Sequence, residues 1–188
     1  MREEIDSMLG KLRAINAVEL ELMLAWRNAP SVRAKMYTRH EISISEHLAW
    51  WDRIQSRTDQ RYLMYEFKGA PLGIVAFNSI DNANRNSSWA FYASPEAPKG
   101  TGSRMEFLAM ECAFCELKLH KLCCEVLAFN NPVIKLHQKF GFMIEGILRE
   151  QHQLDGCFVD VYRLGILESE WHGARKAMLE KLLRLSTR

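Results

Sequence analysis

The chain has 188 residues, 48% hydrophobic and 26% charged, which suits one globular domain with a substantial core. Its 25 Lys and Arg against 23 Asp and Glu leave a formal charge of +2, too balanced to draw the whole protein to nucleic acid or an anionic membrane. No apolar run approaches the roughly 20 residues that span a bilayer, and Met1-Arg2-Glu3-Glu4-Ile5-Asp6 lacks the apolar stretch of a secretory signal, so a cytoplasmic location is expected.

Residues 17–28 carry Val18, Leu20, Leu22, Met23, Leu24 and Trp26 and stop before Pro30, which predicts a short helix. Ser45 is the expected N-cap of a second helix over 46–57, with His47, Leu48, Trp50, Trp51 and Ile54. Three antiparallel strands follow at 61–67, 72–80 and 87–93, divided by Lys68-Gly69-Ala70-Pro71 and by a polar stretch at 81–86. Met105, Leu108, Ala109, Cys112, Ala113, Cys115 and Leu119 trace one side of a longer helix. A strand at 121–129, a short helix at 131–140 ended by Gly141, a hairpin of 144–153 and 157–166 turning at Asp155-Gly156, and an amphipathic helix at 168–185 complete the chain. The order predicts an α/β fold with a mixed, mainly antiparallel central sheet flanked by helices.

The five cysteines are expected to be buried free thiols with no metal; the other reading is that Cys112 and Cys115, with the spacing of a zinc half-site, hold a metal. Cys112 and Cys115 lie inside an apolar helical pattern, and adjacent Cys123 and Cys124 on a strand point to opposite faces. The odd count argues against a complete disulfide framework.

The chemistry is expected where a strand runs into Lys99-Gly100-Thr101-Gly102-Ser103-Arg104 and a helix begins at once. Glycines let backbone N–H groups approach a ligand, and the new helix adds unpaired N–H groups and a positive dipole end, a cradle for a pyrophosphate to which Lys99 and Arg104 could add charge. The alternative is a tight turn that binds nothing. The loop is neither a Walker loop nor a Rossmann fingerprint.

A second segment, Glu125-Val-Leu-Ala-Phe-Asn-Asn-Pro-Val-Ile-Lys-Leu-His-Gln-Lys-Phe-Gly-Phe142, resembles the second half of the GNAT acetyltransferase core, and with the loop before it the resemblance runs from about residue 61 to 171. It implies one acetyltransferase domain over 1–188: a helical substrate-binding region at 1–58, an acetyl-CoA-binding core at 59–167 and a C-terminal helix at 168–188. It further implies that 99–104 holds the pyrophosphate of CoA, that Phe91, Tyr92 and Ala93 bond the pantetheine arm through their backbone, and that Asn130 contacts the cofactor. Where the family's loop often opens with Gln or Arg, this chain has Ala97.

His137 stands where many members carry a tyrosine that protonates the departing thiolate. Imidazole, with an ordinary pKa of about 6.5 against about 8.5 for a thiol, is a competent acid; the other reading is a helix histidine hydrogen-bonded at the surface. Direct transfer to a neutral amine is expected, with amides near Tyr92 stabilising the oxyanion. His47, Glu41 and Glu46 are candidate bases.

Substrate choice should fall to the N-terminal region, where Arg27, Asn28, Arg33, Met36, Tyr37, His47 and Trp50 mix cations with aromatics. That mixture suits a nucleotide sugar, arginines for phosphates and aromatic faces for uracil or sugar, unless these residues are core and solvated surface. With Glu41-Ile-Ser43 and Leu136-His137-x-Lys-Phe-Gly-Phe142, the region is similar to the N-acetyltransferases of pseudaminic acid biosynthesis. The resemblance implies acetylation of the 4-amino group of UDP-4-amino-4,6-dideoxy-N-acetyl-β-L-altrosamine, a small-molecule partner. Other readings are a polyamine or protein N-terminal acetyltransferase and a non-catalytic CoA-binding module. The terminal helix, with Arg175, Lys176, Lys181, Arg184 and Arg188, is either an amphipathic cap or a partner surface, such as that of a homodimer.

Overall fold

A computed structural model describes residues 2–186, and side chains from 5 to 184; Arg188 lies outside the described residues. The chain opens with helix α1 (Arg2–Leu9) and strand β1 (Lys11–Arg13), two elements absent from the expected order. Gly10 turns one into the other at φ +87°, its N–H bonded to the Asp6 carbonyl at 3.0 Å. β1 pairs antiparallel with β2 (Gln60–Phe67) through Lys11↔Glu66, Leu12↔Tyr65 and Arg13↔Met64. Three residues are too few to show an alternation. Ion pairs hold them instead: Arg13 Nε meets Glu66 at 2.6 Å, and its other nitrogens meet Glu19 at 2.6 and 2.9 Å.

Helices α2 (Leu20–Asn28) and α4 (Ile44–Ile54) are the two expected ones, with the single turn α3 (Pro30–Arg33) between them. Helix α4 starts earlier than predicted because Ser43, not Ser45, is its N-cap: the Ser43 hydroxyl accepts the Glu46 N–H at 3.2 Å. Next come β3 (Ala70–Asp81), β4 (Asn86–Ala93) and α5 (Thr101–Glu111), which ends in a π-helical turn at Cys112–Glu116. Then follow β5 (Lys121–Leu127), α6 (Asn131–Lys139), β6 (Met143–Leu154), β7 (Cys157–Leu167) and α7 (Glu168–Ser186). The sheet order is β1-β2-β3-β4-β5-β7-β6, antiparallel throughout except between β4 and β5. The fold class is the expected one, with a seventh strand.

Period-two alternation assigns the two faces of the sheet. Leu63, Tyr65, Val75, Phe77 and Trp89 join the core built with α5, α6 and α7. Met64 and Ile74 turn the other way, with Tyr62 and Tyr92, and pack on Leu20, Met23 and Trp26 of α2 and on Trp50 and Trp51 of α4. Helix α7 is bound to α5 through Glu111, which accepts from Trp171 Nε1 at 3.2 Å and from two Arg175 nitrogens at 2.6 and 2.7 Å.

Cys112 and Cys124 are buried thiols, as expected; Cys115 and Cys157, expected to be buried, are exposed. The π turn inserts a residue into the helical register and carries Cys115 off the apolar side. Among the described residues no helix is long and apolar enough to cross a membrane.

One irregularity positions everything else. β4 and β5 pair only from Asn86↔Lys121 to Ser88↔Cys123, after which β4 stays with β3 as far as Ala93 and β5 with β7 as far as Leu127. Residues 89–93 and 124–127 therefore diverge, and the notch between them exposes backbone N–H and C=O groups on both inner edges.

Candidate active site

At the mouth of the notch the chain turns through Pro98 and Lys99 into α5. Gly100, the N-cap, holds φ +88°, and a Cβ there would meet nothing within 4 Å, so the loop is open to a ligand. Thr101 N–H bonds to the Pro98 carbonyl and Arg104 N–H to that of Gly100. The N–H groups of Gly102 and Ser103 lie in the first helical turn, where no helix carbonyl precedes them, and aim outward with the positive dipole end. Lys99 is exposed beside them. Arg104 is a correction: its guanidinium stacks on Phe67, 4.4 Å from the ring centroid, with Nη1 buried, so it is turned away from the cradle.

Deeper in, Asn130 follows β5 and stands at the N-cap of α6; it is buried, and its side-chain carbonyl oxygen has no hydrogen-bond partner. A buried amide oxygen facing no donor costs about 1–3 kcal/mol, a cost an incoming N–H removes. An anion cradle, unpaired strand edges at Phe91, Tyr92 and Ala93, and a waiting acceptor at Asn130 fit a long ligand with a diphosphate head and an amide-bearing arm, which is the shape of acetyl-CoA.

His137 does not lie at the surface. It is 2% exposed, enclosed by Trp89, Phe91 and Phe142 with ring centroids 5.4, 6.1 and 5.2 Å away. Its Nδ1 is 2.8 Å from Oε1 of Glu106, a residue of α5 that is fully buried and that no motif pointed to. Burial pushes the Glu106 carboxyl above its ordinary range, opposed by the hydrogen bond from His137. Spacing within one helix carries no sign of this pair, because Glu106 belongs to α5 and His137 to α6. Neither Cys123 nor Cys124 is poised as a nucleophile: desolvation raises both thiols above their ordinary pKa.

On the opposite face of β4 a cavity of about 350 Å³ opens under α4. The sequence-predicted Arg27, Met36, His47, Trp50, Phe91 and Tyr92 line it, with Glu46. His47 stacks on Trp50 with centroids 5.2 Å apart; the ring donates to the Leu20 carbonyl, and Nε2 is buried with no partner. Burial lowers the His47 pKa, only partly offset by that hydrogen bond, so the ring is neutral at pH 7 and presents a lone pair. Arg27 spends one nitrogen on the Thr38 carbonyl at 3.0 Å and leaves Nη1 buried and unpartnered. Burial likewise lowers its pKa, yet a guanidinium starts from so high a value that it stays charged. Tyr62, bonded to Asn78 at 2.9 Å, and Arg53 also belong here and were missed; Tyr62, Ile74, Ala76, Asn78, Ala90 and Tyr92 share one sheet face, which alternation across three strands could have shown.

Four expected residues lie elsewhere. Asn28 is spent on the backbone of Ile42, donating at 2.8 Å and accepting at 2.9 Å. Arg33 and Glu41 face each other at 3.8 Å outside the cavity, and Glu41 is largely exposed, so neither reaches an acceptor there. Tyr37 bridges to β5, its hydroxyl 3.2 Å from Glu125 and its ring edge-on to His152 at 5.0 Å; burial and the carboxylate push its pKa up to about 12. A larger cleft of about 860 Å³ runs along the outer edge of β2, but the diverging strands do not line it, and its arginines are paired, Arg61 with Glu116 and Arg175 with Glu111.

The neutral His47 makes a checkable statement about stability. Its folded pKa is below the ordinary 6.5 or so, so the unfolded chain takes up the proton first as pH falls. Stability is full above about pH 6.5 and is expected to drop as pH descends through the lower folded value. Urea melts between pH 7.5 and 5 check this: His47→Gln should flatten the decline, and an unchanged slope would refute it.

The surroundings of the notch agree with the likenesses to known proteins. Residues 11–143 match the family model of the acetyltransferase (GNAT) domain. The spermidine N(1)-acetyltransferase of Escherichia coli (strain K12) is 26% identical over 176 residues, 93% of this chain and 94% of that one. Acetyltransferase PseH of Campylobacter jejuni is 28% identical over 136 residues, 72% of this chain and 84% of that one. In fold, the crystal structure of spermidine N-acetyltransferase from Vibrio cholerae in complex with CoA and spermine superposes with a TM-score of 0.81 at 24% identity, covering 86% of this chain and 97% of that chain. With a family model covering most of the chain and a cradle suited to the diphosphate of its donor, the protein belongs to the GNAT acetyltransferases and takes its acetyl group from acetyl-CoA.

Proposed function

We propose that this N-acetyltransferase acts on the 4-amino group of a UDP-linked amino sugar, UDP-4-amino-4,6-dideoxy-N-acetyl-β-L-altrosamine, in pseudaminic acid biosynthesis. The observation that carries the reading is the charge of the acceptor cavity. Among the described residues Arg27 and Arg53 line it, against a single carboxylate, Glu46, that is itself 3.1 Å from His40 Nε2. Guanidinium groups suit a diphosphate and repel a polyamine carrying several ammonium groups. Trp50, Tyr62 and Tyr92 supply faces for a sugar or uracil ring, and about 350 Å³ accommodates a hexose with its diphosphate reaching outward. Relatedness to PseH supports the same reading.

A second reading is polyamine acetylation, favoured by the E. coli relative matched along 93% of this chain. Against it stands the scarcity of acid in the cavity.

Acetyl-CoA supplies a thioester whose carbonyl an amine can attack. The chain's part is to position and to move protons. His47 Nε2 accepts the proton the acceptor nitrogen must lose, N–H groups on the open edge of β4 near Tyr92 stabilise the carbonyl oxygen as it gains charge, and His137 holds a proton on the opposite side of β4 for the leaving sulfur. The test is thiol release from acetyl-CoA with a panel of UDP-amino sugars, polyamines and peptides. A kcat/KM at least about 100-fold higher for the UDP-4-amino sugar than for spermidine supports the reading; preference for spermidine overturns it.

A further inference from the structure

We infer that Glu106 is a positioning residue for proton delivery: through its bond to Nδ1 it holds the His137 ring so that Nε2 keeps a proton facing the notch between β4 and β5. The inference concerns the donor side of the reaction and rests on the acetyltransferase chemistry, not on the identity of the acceptor.

Glu106 sits on a stretch of α5 whose other buried residues are Met105, Phe107, Leu108, Ala109 and Met110. Burying a carboxyl there is costly, and an apolar side chain of similar size would pack without that cost. The cost is only half offset, because Oε1 meets His137 while Oε2 is buried with no partner. Two more unpartnered buried atoms belong to residues around the splay, Trp89 Nε1 and Asn130 Oδ1. A local rule broken three times in one place marks a site rather than a packing solution.

The pair is built for one proton at Nε2. With two protons between them the partners are neutral overall, as suits a core position. The shared proton can rest on Oε1 or on Nδ1, and in either arrangement Nε2 keeps its own. Loss of the Nε2 proton would leave a net negative charge buried among Trp89, Phe91 and Phe142, an arrangement that costs free energy. The other titratable groups that act on Glu106 or feel it are Lys139 at the end of α6 and Cys124 on β5, the latter kept protonated by burial.

In the reaction the acceptor nitrogen forms the C–N bond as the C–S bond breaks. Sulfur keeps the electron pair of that bond and takes the Nε2 proton, and the surplus proton on nitrogen leaves through the acceptor cavity. The dyad then regains a proton from solvent. A tyrosine at position 137 carries its own hydroxyl proton on a ring that needs no second partner, so only the histidine form requires a carboxyl.

Two measurements test this. Proton and imidazole ¹H–¹⁵N spectra of the free protein at pH 7 should show a protected, strongly downfield proton in the Glu106–His137 bond, on whichever partner it rests, and a protonated Nε2; Glu106→Gln should abolish the downfield signal. In steady-state kinetics Glu106→Gln should lower kcat about 10-fold or more while the KM for acetyl-CoA stays within about twofold. In a His137→Tyr background the same substitution should cost less than about threefold. Equal losses in both backgrounds would mean that Glu106 serves the fold alone and would overturn the inference, as would a wild-type spectrum without the downfield proton. The spectra are read without any acceptor, so they stand even if the proposed amino sugar is not the substrate.

Discussion

Replacing His137 is expected to lower kcat by about 100-fold with the KM for acetyl-CoA within about twofold. The size follows from the leaving group. General acids contribute about 10² to 10⁴, and a thiol with a pKa of about 8.5 departs unaided more readily than an alcohol, which places the loss at the lower end. Substitution by alanine would also empty a site packed between Trp89, Phe91 and Phe142 and strand Glu106, a combination worth about 3–5 kcal/mol of stability. His137→Gln, which can still bond to Glu106, is therefore the better probe, with a thermal melt beside it. His137→Tyr should recover most of the turnover. A His137→Gln enzyme that melts like wild type and turns over at the same rate would remove the residue from the chemistry.

Arg27 carries the second large effect. Its Nη1 is buried, without a partner, and lines the acceptor cavity, so Arg27→Ala is expected to raise the KM for the UDP-sugar about 10- to 100-fold. That corresponds to the roughly 1.5–3 kcal/mol of one hydrogen bond to a charged group. The KM for acetyl-CoA should not move, because the cradle at Gly100 and Gly102 does not line that cavity. Lysine should not rescue, since a point charge cannot reproduce a planar fork whose second nitrogen already holds Thr38. Arg33→Ala should leave both KM values unchanged, because the structure pairs that residue with Glu41 outside the cavity. If the acceptor were a polyamine, Arg27→Ala would lower its KM, a change of sign that separates the two readings in one experiment.

The two arginines show where reading a sequence stops. Arg27 and Arg33 are six positions apart in the same basic and aromatic stretch, and nothing in composition distinguishes them. The helix that ends at Asn28 and the turn that starts at Pro30 send one guanidinium under α4 and the other to the outside. Direction was the missing quantity.

What the amino-acid order determined unaided was whatever depends on neighbours along the chain. Strand-forming runs at 61–67, 72–80 and 87–93 marked β2, β3 and β4, Asp155-Gly156 set the last hairpin, and Lys99-Gly100-Thr101-Gly102 placed an anion cradle at the start of a helix. Those features, with the segment from Glu125 to Phe142, sufficed for the fold class and the acetyl donor. Tertiary structure alone decided the rest. β1 exists because Arg13 finds Glu66 across 53 positions, and the Glu106–His137 pair because α5 and α6 meet across 31. The His47 pKa falls below its ordinary value because the ring is buried beside Trp50, against the opposing hydrogen bond to Leu20. Periodicity is a local property of a chain; burial, which decides what a charge or a lone pair can do, is a property of the packed whole.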